Sequence, residues 1–258
     1  MAAVASGTGS RTGGGPRRGL LGRWGLGQLL QGLGITVGLI AMVGGFAVLA
    51  VQYRPYSVPT DSMQPTIKPG DVVLAHPVTP SAIGRGDVVV FNDPQWEGSN
   101  LVKRVVGIGG DTVVCCDSSG RITVDGHPVT EPYTRQAGAL AGVPQTKFTA
   151  VVPPGRLFLL GDNRAVSQDS RVHLMLDDGT VAADQVLARV DGTVWPLGHT
   201  AAIARTTAFD ALPGRDASAH GPLAAATWAT LGGAALVLLT AALGTLGGLA
   251  RRLRGHRE

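Results

Sequence analysis

Two uncharged apolar runs constrain this chain more than any other feature. Residues Leu33 to Val51 read LGITVGLIAMVGGFAVLAV. At helical rise this run spans about 28 Å, close to a bilayer core of ~30 Å. The second run extends from Leu223 to Ala250, with Trp228 near one end and arginines just past the other. A cleaved signal peptide competes for the first run, and Val48-Leu49-Ala50 would serve as its cleavage site. Against it, the run exceeds the usual apolar core of about 7–15 residues, and a long Arg-bearing tail precedes it. The expectation is an uncleaved membrane helix over 33–52 and a second over 223–250. A buried core helix competes for the second run, but its length and basic end speak against that.

The arginines set the orientation. Arg11, Arg17, Arg18 and Arg23 precede the first run, and Arg251, Arg252, Arg254 and Arg257 follow the second. Arg54 stands nearly alone on the inner flank of the first. Basic clusters favour the cytoplasmic side, so both termini are expected there and residues 53–200 on the far side. The basic balance (Lys+Arg 22, Asp+Glu 18) therefore reads as membrane topology and not as nucleic-acid binding. Residues 1–32 are Gly/Ser/Thr/Arg-rich and expected to be disordered. Residues 201–222 read as a polar linker and 251–258 as a basic cytoplasmic tail.

Between the runs the chain reads as short strands. The candidates are 71–74, 87–91, 101–106, 112–116, 121–124, 156–160, 185–190 and 193–196, rich in Val, Leu and Ile. Turn signals such as Pro69-Gly70, Gly109-Gly110-Asp111 and Asp125-Gly126 bound them. No ten-residue helical pattern intervenes, which disfavours parallel βαβ units. The fold expected is an antiparallel all-β domain flanked by two transmembrane helices. The only cysteines, Cys115 and Cys116, are too few for a disulfide framework and wrongly spaced for zinc. They are expected to be free, partly buried thiols in a location that would permit oxidation.

Chemistry concentrates in three stretches: 58–67 (VPTDSMQPTI), 101–107 (LVKRVVG) and 161–171 (GDNRAVSQDSR). Ser62 lies among turn-formers, with the Thr60 hydroxyl two residues before it. A serine needs a group to take its proton. Of the six histidines, His220 and His256 fall outside the β domain, His127 follows a hairpin turn, and His76 shows no orienting carboxylate nearby in sequence. No two histidines have metal-ligand spacing, so neither a metal nor a cofactor is expected.

Lys103 is the better base. On a strand it shares a face with Leu101 and Val105, and burial among apolar groups disfavours the charged ammonium. Arg104 points the other way, and a guanidinium does not deprotonate in this range. A strand lysine in a salt bridge is the competing reading. In the third stretch Ser167, Asp169 and Arg171 could bond one another while Ser167 orients the lysine. The Ser62 N–H and the Thr60 hydroxyl are natural oxyanion donors. Alone, the Gly-Asp-Asn-Arg segment also reads as a structural turn.

In order and spacing the three stretches resemble the boxes of bacterial type I signal peptidases. Gly86-Asp87-Val88-Val89-Val90-Phe91 is a fourth matching block, and the resemblance runs from about Pro59 to Arg171. It implies a membrane-bound serine endopeptidase with Ser62 as nucleophile and Lys103 as general base. Ser167 would position the base, Thr60 would supply the oxyanion hydroxyl, Asp169 and Arg171 would form a structural ion pair, and Met63 would pack under the site. Substrates implied are secretory preproteins with small residues at −3 and −1, cleaved at the outer face of a bacterial cytoplasmic membrane. The lipid bilayer is the other partner.

Asp61 departs from the Gly common at that position. Ala165-Val166 replaces a more polar pair, and a C-terminal span is unusual. Lysine at 103 argues against the eukaryotic-like branch, which uses histidine there. Two other readings compete: a Ser/Lys self-cleaving repressor, which should be soluble and bind DNA, and a catalytically silent, membrane-tethered β module that binds peptides.

Overall fold

The computed structural model describes residues 25–96, 98–135, 147–214 and 221–254, with side chains as far as 249. Helix α1 (Leu26–Gln52) and helix α2 (Leu223–Arg254) are long and apolar enough to cross a membrane. Helix α1 starts at Leu26, ahead of the expected Leu33, because Leu26, Leu29 and Leu30 carry the apolar pattern back and no charge interrupts it. Of the tail expected to be disordered over 1–32, residues 26–32 are helical instead, and residues 1–24, with Arg11, Arg17, Arg18 and Arg23, lie outside those described. Arg257 also lies outside them.

The chain divides into two compact units. One holds α1 as far as Ala41 and α2 from Gly232 onward. Here the helices meet through small residues, as membrane helices do when backbones must approach closely. A side chain at Gly38 would stand 2.8 Å from Val237 Cγ2 and 2.9 Å from the Gly233 carbonyl.

The other unit spans Met42–Leu231. In chain order its strands are β1 (Arg54–Val58), β2 (Asp71–His76), β3 (Val88–Asn92), β4 (Asn100–Ile108), β5 (Thr112–Cys115), β6 (Ile122–Val124), β7 (His127–Pro128), β8 (Phe148–Val151), β9 (Arg156–Leu160), β10 (Thr180–Ala182), β11 (Val186–Trp195) and β12 (Ala201–Ala202). The larger sheet runs β1-β2-β11-β3-β4-β9-β10, with β12 added to β11. The smaller runs β7-β6-β5-β8. Every pairing among the described residues is antiparallel, as the absence of helical crossovers demands.

Local rules account for much of this. Asp125 and Gly126 both have positive φ, the signature of a two-residue hairpin turn whose twist matches its strands, and they join β6 to β7. Pro55 sits on β1, an edge strand, where a missing N–H costs no ladder bond. Strand β4 is buried almost throughout, because β3 and β9 flank it and apolar clusters lie on both sides. That burial places Lys103 and Arg104 inside the protein.

Three expectations need correction. The cysteines are not free thiols: Cys115 and Cys116 form a disulfide where the chain turns out of β5, with their Cα atoms 3.0 Å apart. Residues 201–214 do not run as a free polar linker. Phe209 and Leu212 insert into the cluster formed by Val106, Phe148 and Phe158, and these isolated apolar residues have no periodicity to announce them. The two strands expected at 185–190 and 193–196 are one, because Asp191-Gly192 makes a bulge against β2 in place of a turn.

Candidate active site

Ser62 lies in the turn that joins β1 to β2. The turn is closed by Gln64 N–H donating to the Asp61 carbonyl at 3.1 Å and Ile67 N–H donating to the Met63 carbonyl at 2.9 Å. Met63 and Ile67 point down from it into a core of Val58, Val73, Val88 and Val190. The turn is therefore nailed in place from beneath. Its upper rim, Thr60 and Asp61, stays exposed, while Ser62 is only 7% exposed.

Lys103 reaches this turn from β4. Its Nζ lies 2.9 Å from Ser62 Oγ, in hydrogen-bond contact, and the residue is 4% exposed. Thr60 Oγ1 stands 3.1 Å from the same Ser62 oxygen. The nucleophile, base and hydroxyl donor inferred from the sequence thus converge on one atom.

The turn after β9 supports the other side. Asn163 N–H donates to the Ser62 carbonyl at 2.9 Å, and Asn163 Nδ2 donates to the Asp61 carbonyl at 3.1 Å. Gly161 is required here: a Cβ would overlap the Ser167 side chain and the Ser62 carbonyl. Arg171 forks onto Asp169, with Nε and Nη2 each 2.8 Å from a carboxylate oxygen. Burial alone would raise the Asp169 pKa, but Arg171, the Gly161 N–H and Ser167 hold it below the usual carboxylate range. Ser167 is buried, and among the described residues its Oγ makes no well-formed hydrogen bond, although it lies close enough to Asp169 to help keep that group ionised. Among the described residues, the hydrogen bond expected from Ser167 to Lys103 does not form.

Several charged residues at the site had no role in the sequence reading. Arg104 lies buried behind Lys103, with Nε and Nη2 donating to Asp162 at 2.8 and 2.7 Å and Nη1 to the Gly86 carbonyl at 2.8 Å. Asp162 also accepts from Thr66 Oγ1 at 2.5 Å, so strand β4 and the Ser62 turn share one carboxylate. Glu131 takes both ends of the Arg164 guanidinium at 2.6 and 2.7 Å. Elsewhere, His76 does have an orienting carboxylate: its Nδ1 lies 2.8 Å from Asp191, a residue on distant β11. Tyr53 Oη donates to the same carboxylate at 2.8 Å. His199 pairs with Asp71 at 2.9 Å. No signal in the sequence separates these carboxylates from solvated ones, because each finds its partner only through the sheet.

The family described as signal peptidase, peptidase S26, matches residues 30–195. The chain belongs to this family. A signal peptidase I from Mycobacterium tuberculosis is 32% identical over 210 residues, covering 62% of this chain and 71% of that protein. A signal peptidase IB from Staphylococcus aureus is 31% identical over 176 residues, covering 62% of this chain and 85% of the relative. A crystal structure of a signal peptidase I from Enterococcus faecalis V583 matches 42% of this chain and 95% of its own, at 30% identity and a TM-score of 0.34. As an S26 peptidase the chain is a serine endopeptidase, a hydrolase of the signal peptidase type.

Proposed function

We propose that this S26 peptidase removes signal peptides from secretory preproteins by a Ser62/Lys103 dyad. On this reading it is anchored by both helices, with its two termini cytoplasmic and its β domain at the outer face of a bacterial cytoplasmic membrane. The observation that carries the dyad is the 2.9 Å contact between a buried lysine amine and a buried serine hydroxyl. A lysine that serves as general base accepts the proton in its neutral form.

The proposed reading implies the following chemistry. With the amine neutral, Lys103 Nζ accepts the Ser62 proton as Oγ attacks the scissile carbonyl. The tetrahedral oxyanion is met by the Ser62 N–H and the Thr60 hydroxyl. As the C–N bond breaks, Lys103 returns the proton to the leaving amine, and the new N-terminus departs. Lys103 then takes a proton from water, whose oxygen attacks the ester; as the bond from the acyl carbon to Ser62 Oγ breaks, Lys103 gives that proton to Oγ and the signal peptide leaves. The substrate, with small residues at −3 and −1, binds as an added strand. Thr60, Asp169, Arg171 and Met63 hold the supporting roles named from the sequence, and Ser167 lines the site beside Asp169.

Cleavage of a secretory preprotein in detergent tests the reading. The wild type should release the mature chain, and Ser62→Ala and Lys103→Arg should not, while both keep the wild-type circular dichroism. Retained cleavage by a folded Lys103→Arg enzyme would remove lysine as the base.

A further inference from the structure

One short segment contacts all three stretches that carry the candidate machinery without belonging to any of them. Residues 131–135, Glu131-Pro132-Tyr133-Thr134-Arg135, follow β7 of the smaller sheet and cross onto the larger one. The Tyr133 ring lies over the Arg104 guanidinium, with Cζ 4.0 Å from the ring centroid, directly behind the base strand. Tyr133 Oη donates to Glu131 at 2.6 Å, and Glu131 grips Arg164, whose Nε in turn donates to the Gly161 carbonyl at 2.9 Å. Arg135 N–H donates to the Asp162 carbonyl at 3.0 Å, and the Arg135 guanidinium contacts Gln64, two residues past Ser62.

We infer that residues 131–135 form a clamp whose positioning residues, Glu131 and Tyr133, hold the base strand and the Ser167 turn in register with Ser62. The inference rests on the Ser62/Lys103 reading above and adds to it a part that none of the three motif stretches contains. Its physical basis is the cost of misplacing a reacting group, since proton transfer demands hydrogen-bond distance in the transition state. Strand β4 can slide or roll only if Arg104 leaves its niche. That niche has three walls: the Asp162 carboxylate, the Gly86 carbonyl and the Tyr133 ring.

Charge supports the same conclusion. Three buried or part-buried guanidinium groups, Arg104, Arg164 and Arg171, are matched by three carboxylates, Asp162, Glu131 and Asp169. Burial alone would raise the Glu131 pKa, but Arg164, Tyr133 and Arg104 hold it below its ordinary range. Glu131 is thus the anion that keeps this network neutral next to the base. Losing it would leave Arg164 as an uncompensated buried cation.

The test is steady-state cleavage of a preprotein by the full-length protein in detergent. Wild type, Ser62→Ala, Tyr133→Phe, Tyr133→Leu and Arg135→Ala are compared, with folding followed by circular dichroism. Tyr133→Leu should lower kcat roughly tenfold or more with KM within about threefold, the signature of misplaced catalytic groups and not of lost substrate contacts. Tyr133→Phe, which keeps the ring over Arg104, should recover most of that loss. A folded Tyr133→Leu with wild-type kcat, or one in which only KM rises, would overturn the clamp. Equal losses in Tyr133→Phe and Tyr133→Leu would overturn the role given to the ring.

Should Tyr133→Leu not fold, exposed Arg135→Ala decides: kcat falling severalfold at constant KM supports the clamp, and unchanged kcat sinks it. An inactive wild type or an active Ser62→Ala would instead bring down the dyad reading, and the clamp with it. An active wild type, a dead Ser62→Ala and indifferent clamp variants would overturn the clamp alone.

Discussion

Lys103 and Arg104 are consecutive basic residues buried side by side in β4, and they meet different partners. Lys103 meets a hydroxyl, Ser62 Oγ, at 2.9 Å, whereas Arg104 meets a carboxylate, Asp162, through two parallel bonds. The arginine is thereby kept charged: burial would lower its pKa, but Asp162 raises it further. A permanent charge locks the strand, and on the proposed reading the neighbouring lysine is the one that exchanges protons with Ser62.

Exchanging the lysine for a cation that cannot deprotonate should separate charge from basicity. Lys103→Arg is expected to lose cleavage by a factor of about 10² to 10⁴, the range of a general base. Single-turnover cleavage of a preprotein reads this directly.

Removing the carboxylate that Arg104 needs should act on stability first. Asp162→Ala leaves a buried guanidinium unpaired and frees Thr66, for a cost of about 3–5 kcal/mol. Chemical denaturation in detergent should show the midpoint falling accordingly.

Gly161 should tolerate no side chain. Gly161→Ala forces a methyl against Ser167 and the Ser62 carbonyl. Activity is expected to fall at least tenfold, because the displaced groups flank Ser62, the proposed nucleophile. Comparing kcat with the thermal midpoint checks that the loss exceeds any change in stability.

Acid should be the destabilising side of the pH scale. Asp169 and Glu131 both have folded-state pKa values below those of the unfolded chain, the first beside Arg171 and the second beside Arg164. Such groups bind fewer protons when folded, so their contribution is fully present above the unfolded pKa of about 4. It is lost as pH falls from there through the folded values. Stability measured from pH 7 downward should hold until about pH 4 and then drop, and Asp169→Asn should show a smaller drop.

The candidate site was legible where its chemistry is written in local patterns. Ser62 among turn-formers, Lys103 alternating with Leu101 and Val105, and Asp169 two residues before Arg171 each sit in a stretch short enough to read. The apolar runs were legible for the same reason: their length is compared with a bilayer, not with another part of the chain. Strands β2, β4 and β9 came within about two residues of their observed ends. Strands β1, β8 and β10 were not anticipated, because Pro55, Thr149 and the short Thr180–Ala182 segment break the Val-rich pattern.

From the sequence alone came two membrane-length helices, an antiparallel β domain between them, and a serine and a lysine suited to each other. Tertiary structure decided that these two meet, across 41 residues, and that Thr66, Arg104 and Asp162 stand behind them. It also decided that His76 belongs to Asp191 and Tyr53, that the cysteines bond each other, and that residues 131–135 return to the site. The reason is physical. Periodicity, turn chemistry and charge type act over a few residues, whereas which carboxylate neutralises which buried cation depends on sheet order and register.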